Sequence, residues 1–265
     1  LGIPGERIFV EAAGINHAVW ITTLRDTKNH DAGNRDAATG VDLYPRLLAE
    51  TADGSWQPLG RHLYERFGLW PHENDEHYGE YFPYACELIE CPGYDFDAHL
   101  REERQWRSAA EEVIAGTRDP ARFTSEVADA VWEVFGDAPP SAVIRGVHLG
   151  APPGGPQYLH NANIANRGHI PGLPDDMVVE IPGLASPAGV HGVGMHRLGP
   201  ALLSFLQREG TIQRLSAEAA AEGSRTKALT ALELDPHVGS PATAEALLDA
   251  FLEAHRGYVR ESLGG

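Results

Sequence analysis

The sequence predicts an α+β protein. Three observations carry that expectation. Apolar segments of strand length gather in two blocks, near residues 7–24 and 142–181. The stretches about 42–67, 95–135 and everything beyond about 200 have helical spacing and punctuation instead. Strands and helices therefore lie in runs rather than alternating, which disfavours a regular parallel α/β sheet. With 265 residues, 42% hydrophobic and 22% charged, the chain can bury a substantial core as one large domain or two small ones.

Taken in order, Arg7-Ile8-Phe9-Val10 and Trp20-Ile21-Thr22-Thr23-Leu24 read as two strands, with Gly14 placed to turn the backbone between them. Residues 26–40 are polar and rich in turn formers. Asp42 is positioned to cap a helix running to about Glu50, and a second helix is predicted from Leu59 to Phe67, closed by Gly68. Helices are expected at 95–116, with Leu100, Trp106, Val113 and Ile114 apolar among charges, and at about 121–135. After Asp137-Ala138-Pro139-Pro140 the period changes, giving expected strands at 142–149, 157–165 and 176–181 around a Gly/Pro loop at 150–156. Helices at 200–208, 211–222, 224–234 and 243–256 follow, punctuated by Gly210, Gly223 and Pro236. No internal repeat is visible.

The formal charge is −17, from 38 acidic and 21 basic residues. That balance argues against nucleic acid bound on a broad basic face and against an anionic membrane surface, but a pocket can still be locally basic. No run approaches the roughly 18 apolar residues of a membrane span, and no signal-peptide layout opens the chain. Cys86 and Cys91, the only cysteines, do not make a disulfide framework, so they are expected as buried or half-buried thiols in a reducing, cytoplasmic setting. The chain opens on Leu1, and Leu1–Arg7 reads like the middle of a protein, so an upstream part of a longer chain is expected.

Several motifs are absent on inspection. His72-Glu73 with His77 fails the H-E-x-x-H zinc pattern, because the second histidine is one residue late and Pro71, Gly79 and Pro83 forbid a long helix. Gly192 and Gly194 begin a G-x-G-x-x-G, but Arg197 stands where the third glycine belongs. Neither a P-loop nor a G-x-S-x-G elbow occurs. Asn161, Asn163, Asn166, Arg167, Gly168 and His169 fit either a turn or a loop that hydrogen-bonds a hydroxyl-rich ligand. The pair Asn16-His17 fits a structural histidine as readily as a ligand.

Together, four separated segments resemble the C-terminal domain of family 4 glycoside hydrolases, the NAD- and manganese-dependent glycosidases. Leu1 to Trp20 (L-G-I-P-x-E-R-I-F … A-G-I-N-H-x-x-W) resembles the start of that domain. Asp75–Tyr84 looks like its D-x-H-x-x-E-Y-x-P-Y segment, and Asn163–Pro182 like N-x-G-x-I-x-x-L-P-x-D-x-V-V-E-V-P. The C-terminal helices, with Thr226–Leu229 and Leu232–Pro236, fit as well.

The resemblance implies an α+β fold like the C-terminal domain of lactate and malate dehydrogenases over residues 1–265, with residues 1–10 near the junction with an NAD-binding domain. It implies NAD and Mn²⁺ as cofactors and a small carbohydrate substrate: C3 is oxidised, the C2 proton is removed, the aglycone is eliminated, and water and hydride then return. This departs from the two-carboxylate scheme of most glycosidases. Carried over by position, His17 is the metal ligand, Asn16 its neighbour on a sugar hydroxyl, and Tyr81 and Asp75 the candidates for proton abstraction. His77 and Arg167 are candidate substrate contacts. The family's second metal ligand, a cysteine, and its NAD site are expected upstream of residue 1, so the isolated chain is expected to be inactive. A homodimer or homotetramer is expected, with no nucleic-acid or membrane partner. Two rival readings stay open: a truncated, non-catalytic sugar-binding or oligomerisation homologue, and a stand-alone metal hydrolase using the histidine-rich loops.

Overall fold

In the computed structural model, residues 2–4, 7–15, 17–27, 40–90, 96–125, 147 and 157–258 are described. Strands β1 (Ile8–Ile15), β2 (Ala18–Asp26), β3 (Val41–Asp42), β4 (Trp70–Pro71), β5 (Gln157–Ala165), β6 (Val178–Ser186) and β7 (Gly189–Gly192) form one antiparallel sheet. Its order is β3-β2-β1-β6-β5, with β4 on β2 and β7 on β6. The helices are α1 (Tyr44–Glu50), α2 (Pro58–Phe67), α3 (Asp75–Gly79), α4 (Phe96–Ile114), α5 (Pro200–Glu222), α6 (Arg225–Leu234) and α7 (Pro241–Ala254). Residues 120–125 are also helical. The α+β class therefore stands, with the helices in runs outside one sheet.

Local chemistry explains most boundaries. The Asp42 carboxylate accepts from the Tyr44 amide at 3.0 Å, holding the entry to α1. Proline opens α2, where its missing N–H does no harm, and Gly68 at φ 79° closes that helix with its amide on the Tyr64 carbonyl. Ser224 and Ser240 cap α6 and α7 through the amides of Lys227 and Thr243.

Two expectations are corrected. The helices at 200–208 and 211–222 are one helix, because Gly210 does not stop α5. It is buried where a Cβ would overlap the Met177 side chain, so the glycine serves a close approach to the segment before β6. Cys86 is not a thiol: it lies exposed in the 3₁₀ turn Ala85–Glu87 and is disulfide-bonded, so the cysteines no longer support a reducing compartment. Cys91, the only other cysteine, lies outside the described residues. The strand expected at 142–149 also falls outside them except for Val147, which is helical. Most of the expected 121–135 helix and the loops at 28–39 and 150–156 lie outside them too.

The main core joins the sheet to α2, α3 and α5 around Trp20, which has no exposed surface. Its indole stands edge-on to Phe67 of α2, Tyr78 of α3 and Phe205 of α5, with centroids 5.2, 5.3 and 6.3 Å away. One side chain on β2 thus fixes three helices against the sheet. Leu24, Leu43, Leu47 and Trp70 form a second, smaller cluster under α1. Among the described residues no helix is long and apolar enough to cross a membrane.

Candidate metal and substrate site

Ile15 of β1 pairs directly with Ala18 of β2, so the connection between them is only Asn16 and His17. The turn expected at Gly14 is displaced by two residues. Gly14 lies inside β1, and it must lack a Cβ because one there would overlap the backbone carbonyl of Ala18. Asn16 lies outside the described residues. His17 is exposed at the hairpin tip.

The segment 70–81 is tied to the same strand. β4 pairs with β2 through Trp20–Pro71 and Ile21–Trp70, and the His72 amide donates to the Val19 carbonyl at 2.9 Å. The Tyr78 hydroxyl, inside α3, donates to that same carbonyl. Asn74 caps α3 by accepting from the His77 amide at 3.1 Å. The helix has only five residues, in keeping with its flanking prolines and glycine.

This framework brings His77 beside His17. The rings meet edge-on, with centroids 4.7 Å apart at 76°. Glu80, three residues after His77, projects to the same side, and the ligand atoms of His17, His77 and Glu80 all lie within 4.8 Å of one another. Two imidazoles and a carboxylate suit a first-row divalent cation, so the residues present fit the metal that the resemblance implies.

More carboxylates surround this group. Glu180 of β6 pairs with Gly14 on one side and Asn163 of β5 on the other. Burial raises its carboxyl, His72 and His17 oppose that, and Glu73 adds to it. Glu73 is lowered, chiefly by its hydrogen bond with the His72 ring at 3.0 Å. Tyr81 packs beside Tyr78 and Phe205, centroids 6.4 and 5.9 Å away. Burial, and then the charges of Glu80, Glu209 and Glu180, push its phenol up to about 12.

The other expected site residues fall elsewhere. Asp75 turns its carboxylate into the start of α2, accepting from the amides of Leu59 at 2.9 Å and Gly60 at 2.7 Å. Burial raises its carboxyl despite those two bonds. The N-cap of α2, Gln57, makes no side-chain bond there, so Asp75 takes the capping role from a distance in sequence. Asp75→Asn is expected to lower stability by about 1–2 kcal/mol, the range for a lost cap. That is a drop of roughly 2–8 °C in melting temperature for a chain of this size, read by thermal denaturation.

Arg167 is exposed on the turn after β5 at φ 43°, and its amide donates to the Asp175 carbonyl at 2.9 Å. None of its described contacts reaches the histidine pair. In the polar run around it, Asn166 is fully buried, donating to the carbonyls of Ile170 and Leu173 and accepting from the Ile170 amide. Asn166 therefore builds the loop.

Sequence reasoning passed over Glu80 and Glu180 as site residues. The three-residue step from His77 was a usable signal for Glu80. Glu180 carried none, because only the pairing of β1 with β6 places it there.

Residues 12–238 match the family 4 glycosyl hydrolase C-terminal domain. A phospho-alpha-glucosidase of Clostridium acetobutylicum is 32% identical over 98% of this chain and 58% of its own length. An alpha-galactosidase of Bacillus subtilis is 22% identical over 98% of this chain and 57% of its own length. The chain thus spans little more than half of these relatives. Among solved structures, a 6-phospho-beta glucosidase from Thermotoga maritima with manganese, NAD⁺ and glucose-6-phosphate aligns at a TM-score of 0.67. It is 23% identical, over 96% of this chain and 55% of that one. A 6-phospho-alpha-glucosidase from gut microorganisms with NAD and Mn²⁺ aligns at a TM-score of 0.65 and 20% identity, covering 96% of this chain and 56% of that one. These two likenesses concern the fold. The family match runs through the His17 hairpin, the Tyr81 segment and the Glu180 strand alike, and the chain belongs to the family 4 glycosyl hydrolases, as a C-terminal domain of that family.

Proposed function

We propose that residues 1–265 are the substrate- and metal-binding domain of an NAD- and divalent-metal-dependent glycosidase, active when joined to an NAD-binding domain. The observation that carries this reading is the convergence of the His17 hairpin with His77 and Glu80, the residue before Tyr81, in a chain of this family. The substrate class is a non-reducing-end hexoside or uronide. The names of the relatives span α and β linkages, with and without phosphate, so the proposal stays at that level.

A bound cation would supply Lewis-acid polarisation of sugar oxygens, which makes a neighbouring C–H acidic. His17 would hold it through a ring nitrogen. Asn16, His77 and Arg167 are the proposed polar contacts to the sugar. Tyr81 takes the C2 proton, for which its phenol must first ionise. Burial and three carboxylates oppose that ionisation, and a cation bound nearby would offset them. Asp75 is the weaker candidate for the base, because both of its oxygens already accept amide hydrogen bonds at α2.

The test is an assay of the protein that joins this domain to its NAD partner, using aryl glycosides with NAD⁺, Mn²⁺ and a reductant. Turnover is expected to fall to background when either NAD⁺ or Mn²⁺ is withdrawn. The 265-residue chain alone is expected to show none. Hydrolysis that survives removal of both cofactors would sink the proposal.

A further inference from the structure

We infer that the domain carries a three-donor cation site of its own, made by His17, His77 and Glu80, and that it binds a divalent transition metal without any further protein ligand. The inference deepens the proposed function by moving His77 from the sugar contacts to the cation and adding Glu80 beside it, and it rests on that reading only for the cation's use in catalysis.

Geometry comes first. The three donor atoms lie within 4.8 Å of one another. Donors about 2.0–2.2 Å from a shared ion stand at most about 4.4 Å apart, so small side-chain rotations bring all three onto one point. His17 and Glu80 are exposed and His77 half-buried, so those rotations meet little packing. The backbone beneath is fixed: α3 is capped by Asn74 and pinned to β2 through Tyr78.

Charge is the second, independent line. Glu80, Glu180 and Glu73 surround the imidazoles, and the field of Glu180 and Glu73 reaches His17. Such a cluster of carboxylates favours a dication at this point. Glu73 engages the His72 ring and Glu180 is half-buried in the sheet, which leaves Glu80 as the carboxylate free to ligate.

Chemistry supplies the third. Two histidines and one carboxylate would leave further positions on an ion open, and the exposure of His17 and Glu80 would give solvent access to them. An open site lets sugar oxygens or water complete the coordination. The same donor set binds cations in the order Mn²⁺ < Co²⁺ < Ni²⁺.

The test needs no turnover, NAD or sugar. The 265-residue chain, stripped with chelator, is titrated with Mn²⁺ and with Co²⁺ by calorimetry, and its Mn²⁺ form is examined by pulsed electron paramagnetic resonance. One ion per chain is expected, tighter for Co²⁺, with two coupled imidazole nitrogens. His77→Ala and Glu80→Gln should each weaken binding at least about tenfold, the lower range for loss of even an outer partner, and His77→Ala should leave one coupled nitrogen. A single coupled nitrogen in the unaltered chain would overturn the three-donor site even if a variant failed to fold. So would unchanged affinity in His77→Ala. In either case loss of binding in His17→Ala would leave the proposed glycosidase role of His17 standing. Absence of any binding by the chain overturns the inference, whereas the joined enzyme's dependence on NAD⁺ and Mn²⁺ is decided separately by assay.

Discussion

His17→Ala is expected to lower kcat/KM of the NAD-linked protein by about 10³-fold or more at saturating Mn²⁺. The reasoning is energetic. Lewis-acid stabilisation of developing charge contributes several kcal/mol to the barrier, and each 1.36 kcal/mol is about tenfold in rate. His17 sits exposed at the tip of a two-residue turn, so removing its ring disturbs no core contact. Melting temperature should therefore stay close to that of the unaltered protein while cation binding is lost. Steady-state kinetics over a Mn²⁺ series reads the effect. A rate within tenfold of the original would remove His17 from the site.

Tyr81→Phe is expected to reduce kcat by about 10²–10⁴-fold, the usual contribution of a positioned acid or base. Phenylalanine keeps the ring against Tyr78 and Phe205, so the loss reports the hydroxyl rather than packing. KM should change little. Because the phenol is pushed up to about 12 before any cation is bound, the proton-abstracting form grows as pH rises, giving activity an acidic limb. That limb should vanish in Tyr81→Phe, together with exchange of the C2 hydrogen with solvent. If Tyr81→Phe retains a tenth of the activity while Asp75→Asn loses a hundredfold, the base is Asp75.

Much of the fold was legible because local chemistry decided it. Gly68 stops α2 by adopting a left-handed conformation, and the 157–165 strand matches β5 end to end. Other glycines deceived. Gly14 and Gly210 carry the same letter as Gly68, but they serve close backbone and side-chain approaches, which only the partner across space can reveal. The two-residue strands β3 and β4 were invisible for a related reason: they are too short to have a period and exist only through pairing with β2.

The site divides along the same line. His17, His77 and Tyr81 stood out as residue types within short motifs, whereas the meeting of the two histidines depends on Trp20 and on the hydrogen bonds at Val19. Asp75 looked like chemistry in the sequence and lies in a helix cap, because an acidic side chain next to an uncapped helix start finds two amides there. Glu180 reaches the histidines only through the order of strands in the sheet.

The Val19 carbonyl accepts from both the His72 amide and the Tyr78 hydroxyl, and it lies two residues from His17. That single oxygen makes the hairpin and α3 parts of one body. The entropy of bringing distant donors together is then lost when the chain folds and not when a ligand arrives. Binding need only order the exposed rotamers of His17 and Glu80, each a penalty of about 0.5–1.5 kcal/mol or less. A pinned acceptor at the start of β2 thus sets the affinity of a site it never touches.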